Sequence, residues 1–169
     1  ECQRAQPPER LGLSAATARR QMVCSRDGVL WATDRDGLKV WDVPRGRFIA
    51  AERTGSAVAA IAEADDGSLW LSRQDALEQH RWDGRTLHRL RRFDGAQGYP
   101  LLRAEALVVD AQGVVWAGAA RGVVRVDPDR GRVRVRVLGS ADGLPVQEIL
   151  AHRLVRLGTG ALAAAVREG

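Results

Sequence analysis

The sequence predicts an all-β fold, a partial β-propeller of about three four-stranded antiparallel blades plus the start of a fourth. Three observations predict it. A short phrase recurs along the chain, apolar residues alternate with polar ones at the period of a strand, and glycine punctuates turn positions where helix signals are almost absent. The phrase reads Asp27-Gly28-Val29-Leu30-Trp31, then Asp66-Gly67-Ser68-Leu69-Trp70, then Gln112-Gly113-Val114-Val115-Trp116. A degraded fourth copy is Thr159-Gly160-Ala161-Leu162-Ala163, and the four glycines stand 39, 46 and 47 residues apart. A repeat of roughly 40–50 residues made of short strands and turns has the spacing of propeller blades. One such sheet does not bury both its faces alone, so neighbouring blades must cover them.

Each copy divides into four strands. The inner strand precedes the glycine turn, as in residues 58–63 and 105–109. The second carries the tryptophan. The third is expected at residues 38–41, 77–82 and 123–126, and the fourth at 48–52, 87–92 and 133–138. In the last of these Val133, Val135 and Val137 alternate with Arg132, Arg134 and Arg136, giving one dry and one wet face. Gly28, Gly67 and Gly113 fit tight hairpin turns because glycine tolerates positive φ. Trp31, Trp70 and Trp116 fall at one register, where aromatics fill the space between blades. The whole of residues 1–169 reads as a single incomplete propeller domain, with blade units at about 12–53, 54–94, 95–139 and a truncated 140–169. Residues 1–21 are less regular and admit a helical turn at residues 15–20.

The formal net charge is +5, and the excess is arginine, Lys39 being the single lysine. These arginines are scattered through all copies and interleaved with acids. A nucleic-acid site needs a concentrated stripe, so no nucleic-acid partner is expected. Cys2 and Cys24 either pair in an oxidising compartment or leave Cys24 as a buried free thiol on the first strand. No hydrophobic run approaches the length of a membrane span, so contact with a membrane is expected only through a parent protein. The chain begins at Glu1 and ends inside a repeat, which predicts a piece of something longer with at least one unsatisfied sheet face.

The sequence advertises no catalytic set. His80, His88 and His152 do not recur with the repeat, and lone histidines on β surfaces are expected to be solvent-facing or hydrogen-bonded bystanders. No serine sits in a nucleophile-elbow phrase, and no glycine-rich phosphate loop precedes a helix. Two cysteines and three isolated histidines give no metal spacing. Asp34-Arg35-Asp36-Gly37 lacks the remaining oxygen ligands of a calcium loop. Asp42, Asp83 and Asp127 end third strands, where aspartate bonds its own backbone. No cofactor and no catalytic activity are expected in this segment.

The phrase D-G-x-L-W-x-x-T, followed by G-L-x-x-W-D, a turn and G-x-F, resembles the two-component regulator propeller repeat. Residues 27–48 match it best. Residues 112–133 match with Gly118-Ala119 where that family prefers Gly-Thr, and Ala141-Asp142-Gly143-Leu144-Pro145 looks like its linker between blades. Asp75-Ala76 departs from the second glycine in the middle copy, and Ala163 replaces the tryptophan in the last. The resemblance implies a periplasmic, ligand-sensing propeller, the extracytoplasmic part of an inner-membrane protein with a histidine kinase or diguanylate cyclase beyond this chain. Its partners would be the remaining blades of the parent and a small-molecule or glycan ligand. Two other classes fit a propeller, a protein-interaction scaffold and an enzyme of the streptogramin B lyase type. Ligands of propellers meet loops on one face. The links between second and third strands supply Arg35, Asp36, Gln74, Asp75, Arg121 and Arg167, and the insertion at residues 95–103 supplies Tyr99. These residues vary between copies while the scaffold repeats. They are either a binding face or ordinary solvated loop residues. Arginines converging there would favour an anionic small molecule or glycan acid.

Overall fold

The computed structural model describes residues 7–15, 20–52, 55–100, 103–119, 122–128, 134–143 and 149–166. Three four-stranded antiparallel sheets and one two-stranded sheet follow one another along the chain. The first sheet is β1 (Met22–Cys24), β2 (Leu30–Asp34), β3 (Gly37–Asp42) and β4 (Arg47–Ala50). The second is β5 (Ala60–Glu63), β6 (Leu69–Ser72), β7 (Leu77–Trp82) and β8 (Leu87–Phe93). The third is β9 (Ala106–Val109), β10 (Val115–Ala119), β11 (Gly122–Asp127) and β12 (Arg134–Leu138), and the fourth pairs β13 (Ile149–Arg156) with β14 (Leu162–Val166). Within each sheet the strands pair in chain order, and the inner strands β5, β9 and β13 are spatial neighbours. The fold is a partial β-propeller.

The recurring glycines close the same turn four times. The Gly28 N–H donates to the Ser25 carbonyl at 2.9 Å, and the Ser25 N–H to the Val29 carbonyl at 2.9 Å. The pairs Gly67–Ala64 and Ala64–Ser68 repeat this at 3.0 and 2.8 Å, Gly113–Asp110 and Asp110–Val114 at 3.0 and 3.0 Å, and Gly160–Leu157 and Leu157–Ala161 at 2.9 and 2.8 Å. The four glycines have φ of 84°, 77°, 78° and 84°. This left-handed conformation costs an L-residue about 1–2 kcal/mol. The fourth copy has therefore lost its tryptophan but kept its hairpin. Two of the aspartates at the far ends of third strands also do what their positions predict. Asp42 accepts the Arg45 N–H at 3.1 Å, and Asp83 accepts those of Arg85 and Thr86 at 2.8 and 2.7 Å.

Packing follows from strand alternation. Trp31, Leu38 and Val40 on one face of the first sheet meet Ile61, Leu69 and Leu71 of the second. Trp31 stands edge-on to Trp82 across that interface, with ring centroids 5.2 Å apart. The other face of the second sheet carries Ala60, Ala62, Trp70, Leu77 and Phe93, which pack on Leu107, Val109, Val115 and Val124 of the third. Every residue of β6 is thus buried. Trp31 and Trp70 are each 1% exposed. Trp116 is only half-buried, because the fourth sheet offers Leu154 but, among the described residues, no third or fourth strand to complete the cover.

Among the described residues, the outward face of the first sheet has no sheet against it. A 3-10 helix at Pro8–Leu11 and the following Leu13 cover Leu30, Ala32, Trp41 and Phe48 instead, a segment that the repeat did not predict. Gly12 lies so close to β4 that a Cβ there would stand 2.1 Å from the Phe48 carbonyl oxygen. This cover does not reach the inner strand. Met22 is 54% exposed, and Cys24 is an exposed free thiol. The expectation of a buried Cys24 is therefore corrected. Its counterpart in the third sheet, Val109, is buried by the second sheet, whereas Cys24 faces the uncovered side. Cys2 and most of the turn expected at residues 15–20 lie outside the described residues.

Trp31→Ala is expected to lower unfolding free energy by about 3–5 kcal/mol, the cost of a large cavity in a close-packed interface. Trp116→Ala should cost less, because its site is already half-wetted. Urea unfolding of the two variants measures the difference, and an equal or larger loss at Trp116 would show that the third and fourth sheets are as tightly joined as the first and second.

Candidate functional site

The turns between second and third strands lie at one end of their sheets. Arg35 and Asp36 are exposed on the β2–β3 turn, and Gln74 and Asp75 are exposed on the equivalent β6–β7 turn. Asp36 pairs with the Lys39 ammonium at 2.9 Å. The neighbouring Asp34 is buried and accepts the backbone N–H groups of Ser14 and Arg35, both at 2.8 Å. Arg121 and Arg167 lie outside the described residues. Tyr99 is not on this exposed face. Its ring is 2% exposed among the residues joining the second and third sheets, and its hydroxyl has no hydrogen-bond partner.

A cleft of about 450 Å³ opens between the first and second sheets beside the β6–β7 turn. Glu78, on β7, is its hub. Its Oε2 accepts from Arg73 Nε at 2.6 Å and His80 Nε2 at 3.1 Å, and its Oε1 from Arg92 Nη1 at 2.8 Å and Arg89 Nη1 at 3.1 Å. Arg73 is buried and also reaches Glu52 Oε2 at 2.7 Å and the Ser56 carbonyl. Glu52 Oε1 in turn accepts the Leu38 N–H at 3.0 Å, tying the network to the first sheet. Arg92 extends it to Asp75 at 3.1 Å, so the cleft and the exposed turn share one chain of ion pairs.

Burial by itself would raise the Glu78 carboxyl. The hydrogen bonds from His80, Arg73 and Arg92, with the charge of Arg73, outweigh burial and hold it far below the usual carboxylate range. An ionised carboxylate accepting four donors has no proton to give and no free lone pair to take one with. The arrangement is therefore suited to holding charge in place rather than to moving protons. Among the described residues no three His, Cys, Asp or Glu side chains are grouped as metal ligands.

Sequence reasoning missed this cluster. It expected the histidines to be solvent-facing or hydrogen-bonded bystanders, and His88 is exposed and pairs with Asp83 at 2.7 Å. His80 is hydrogen-bonded to Glu78 but buried inside the interface, a placement that no local rule gave. A signal was present in the register. Glu78 and His80 occupy the third-strand positions held by Lys39 and Trp41 in the first copy and by Val124 and Val126 in the third. An acid and an imidazole on a face that the third copy fills with valines mark a polar cluster inside an interface.

No family model matches the chain, and no curated protein matches it in sequence. Solved structures match it in fold. The extracellular domain of BT4673, a one-component system protein of B. thetaiotaomicron, superposes with a TM-score of 0.66 at 15% identity, over 92% of this chain and 21% of that one. The extracellular domain of the hybrid two-component system BT3049 from the same organism superposes with a TM-score of 0.63 at 14% identity, over 85% and 20%. A streptogramin B lyase superposes with a TM-score of 0.63 at 16% identity, over 86% and 47%. The chain spans about a fifth of the length of those two extracellular domains, and at these identities the likeness is one of fold.

Two pH responses follow. The unfolded Glu78 carboxyl titrates near 4.5 and the native one well below it, so its contribution is full above about pH 4.5 and is lost as pH falls further. Glu78→Gln should destabilise the protein at neutral pH by about 3–5 kcal/mol, since it removes one of the two carboxylates that neutralise buried Arg73, and should flatten the acid limb of stability against pH. An unchanged acid limb would assign it to other carboxylates. At the alkaline end, burial pushes the Tyr99 phenol up to about 12. Its contribution is full below pH 10, the unfolded value, and is lost between there and about 12. Tyr99 is the single tyrosine, so tyrosinate absorbance reports it alone, and a midpoint near 10 would place the ring in solvent.

Proposed function

We propose that this chain is a ligand-sensing propeller segment, the extracytoplasmic and periplasmic part of a membrane-bound bacterial signal-transduction protein. The output module, a histidine kinase or diguanylate cyclase, would lie beyond these residues, and the remaining blades of the parent would complete the propeller. The observation that carries the reading is the structural likeness to two bacterial extracellular sensor domains over 92% and 85% of this chain. The D-G-x-L-W repeat, which resembles that of two-component regulator propellers, supports it independently. The exposed pairs Arg35–Asp36 and Gln74–Asp75, at equivalent turns of successive sheets, are the surface on which a small-molecule or glycan ligand would be read, together with Arg121 and Arg167. A lyase reading draws on the fold likeness to streptogramin B lyase. Against it, His80 and His88 lie on β7 and β8 rather than on these turns.

Reporter fusions to the parent gene immediately after residue 169 test the location. Alkaline phosphatase should be active there and β-galactosidase inactive, and the reverse pattern would overturn the reading. A ligand identified for the parent protein should bind more weakly to Arg35→Ala and Arg121→Ala. Unchanged binding to both variants would remove this face from the account.

A further inference from the structure

The cleft between the first and second sheets holds two hydrogen-bonding groups that the protein itself leaves unused. Arg73 spends Nε on Glu78, Nη1 on Ser56 and Nη2 on Glu52. Arg92 spends its three nitrogens on Asp94, Glu78 and Asp75. Arg89 hydrogen-bonds through Nη1 alone, to Glu78, and its side chain is 56% exposed. The remaining edge of its guanidinium, Nε and Nη2, is a fork that fits a carboxylate. The second group is His80 Nδ1, which is buried without a partner. With Nε2 donating to Glu78, Nδ1 of a neutral imidazole is a lone pair that requires a donor. A buried polar atom left unmet costs about 1–3 kcal/mol. Arg89 is the cross-strand partner of His80, and both side chains line the cleft.

We infer that this cleft is a binding site for a small hydroxy acid, whose carboxylate takes the free edge of Arg89 while its hydroxyl donates to His80 Nδ1. A simple carboxylate has no proton for Nδ1, and a neutral polyol brings no charge to Arg89. Arg89 is the cation of this lining whose guanidinium keeps an open edge, so an anion is met there rather than by Arg73 or Arg92. This site adjoins the exposed β6–β7 turn through the Arg92–Asp75 pair, and it does not depend on where the protein resides.

Isothermal titration of the full chain with L-malate, succinate and butanetriol tests it. Malate should bind about tenfold or more tightly than succinate, which lacks only the hydroxyl, and butanetriol should bind more weakly than both. Arg89→Gln should weaken malate about tenfold or more. His80→Gln keeps a donor where Nε2 meets Glu78 but removes Nδ1, so malate and succinate should then bind alike, with tryptophan fluorescence confirming the native fold. No binding of malate, equal binding of malate and succinate to the wild type, or undiminished binding to Arg89→Gln would overturn the site. Each of those results leaves the reporter-fusion test of location standing, because titration needs no signalling output.

Discussion

β6 buries all four of its residues, Leu69, Trp70, Leu71 and Ser72, because the sheet that contains it is covered on both faces. That double burial is the constraint on which the rest of the structure depends. A four-stranded sheet of this composition is not a stable object in water, since each face is apolar and each needs a neighbour. The second and third sheets meet the requirement with each other, and the first meets it on one face with the second. The N-terminal segment around Leu11 and Leu13 supplies a partial substitute on the other face, leaving Met22 exposed. The same constraint grades the interfaces. Trp31 and Trp70 are sealed where complete sheets meet, and Trp116 is half-wetted where the opposing sheet has two strands.

Against this background the Glu78 cluster is an expense in stability. Burying two carboxylates, a guanidinium and an imidazole in one interface returns little over an apolar alternative, because desolvation offsets the Coulombic gain. The third sheet shows the alternative, with Val124 and Val126 at the matching positions. The cluster locks three elements together, the β6–β7 turn through Asp75, the end of the first sheet through Glu52, and β8 through Arg89 and Arg92. It also leaves one nitrogen of His80 unmet. Fixing the interface in one arrangement accounts for the first of these features and not for the second.

Much of the fold was legible in the sequence because it repeats. The four glycine turns, the strand order and the third-strand bounds at 77–82 are set by local rules, turn chemistry and alternation, which act within one hairpin. The depth of Trp31 and Trp70 was legible for the same reason. Cys24 and Trp116 were not, since their exposure depends on which sheet stands opposite rather than on their own strands. The Pro8–Leu11 segment follows no repeat and docks through Gly12 on a distant strand. The cleft was illegible for a further reason. Its members come from Glu52, Arg73, Glu78, His80, Arg89 and Arg92, and no spacing rule brings those positions together. Only the misfit of Glu78 and His80 to their register hinted at it. The exposed turns were placed from sequence, but Tyr99, grouped with them for its position in an insertion, turned inward to fill the gap between sheets.

Native-state hydrogen exchange tests the central claim that covered faces, sheet by sheet, set the stability of this chain. Backbone amides of β6 and β10, inside doubly covered or largely covered sheets, should exchange most slowly. Those of β1, on the uncovered side of the first sheet, and of β14 should exchange fastest, in that graded order within one protein. Uniform protection across all four sheets, or protection of β14 equal to that of β6, would contradict the account.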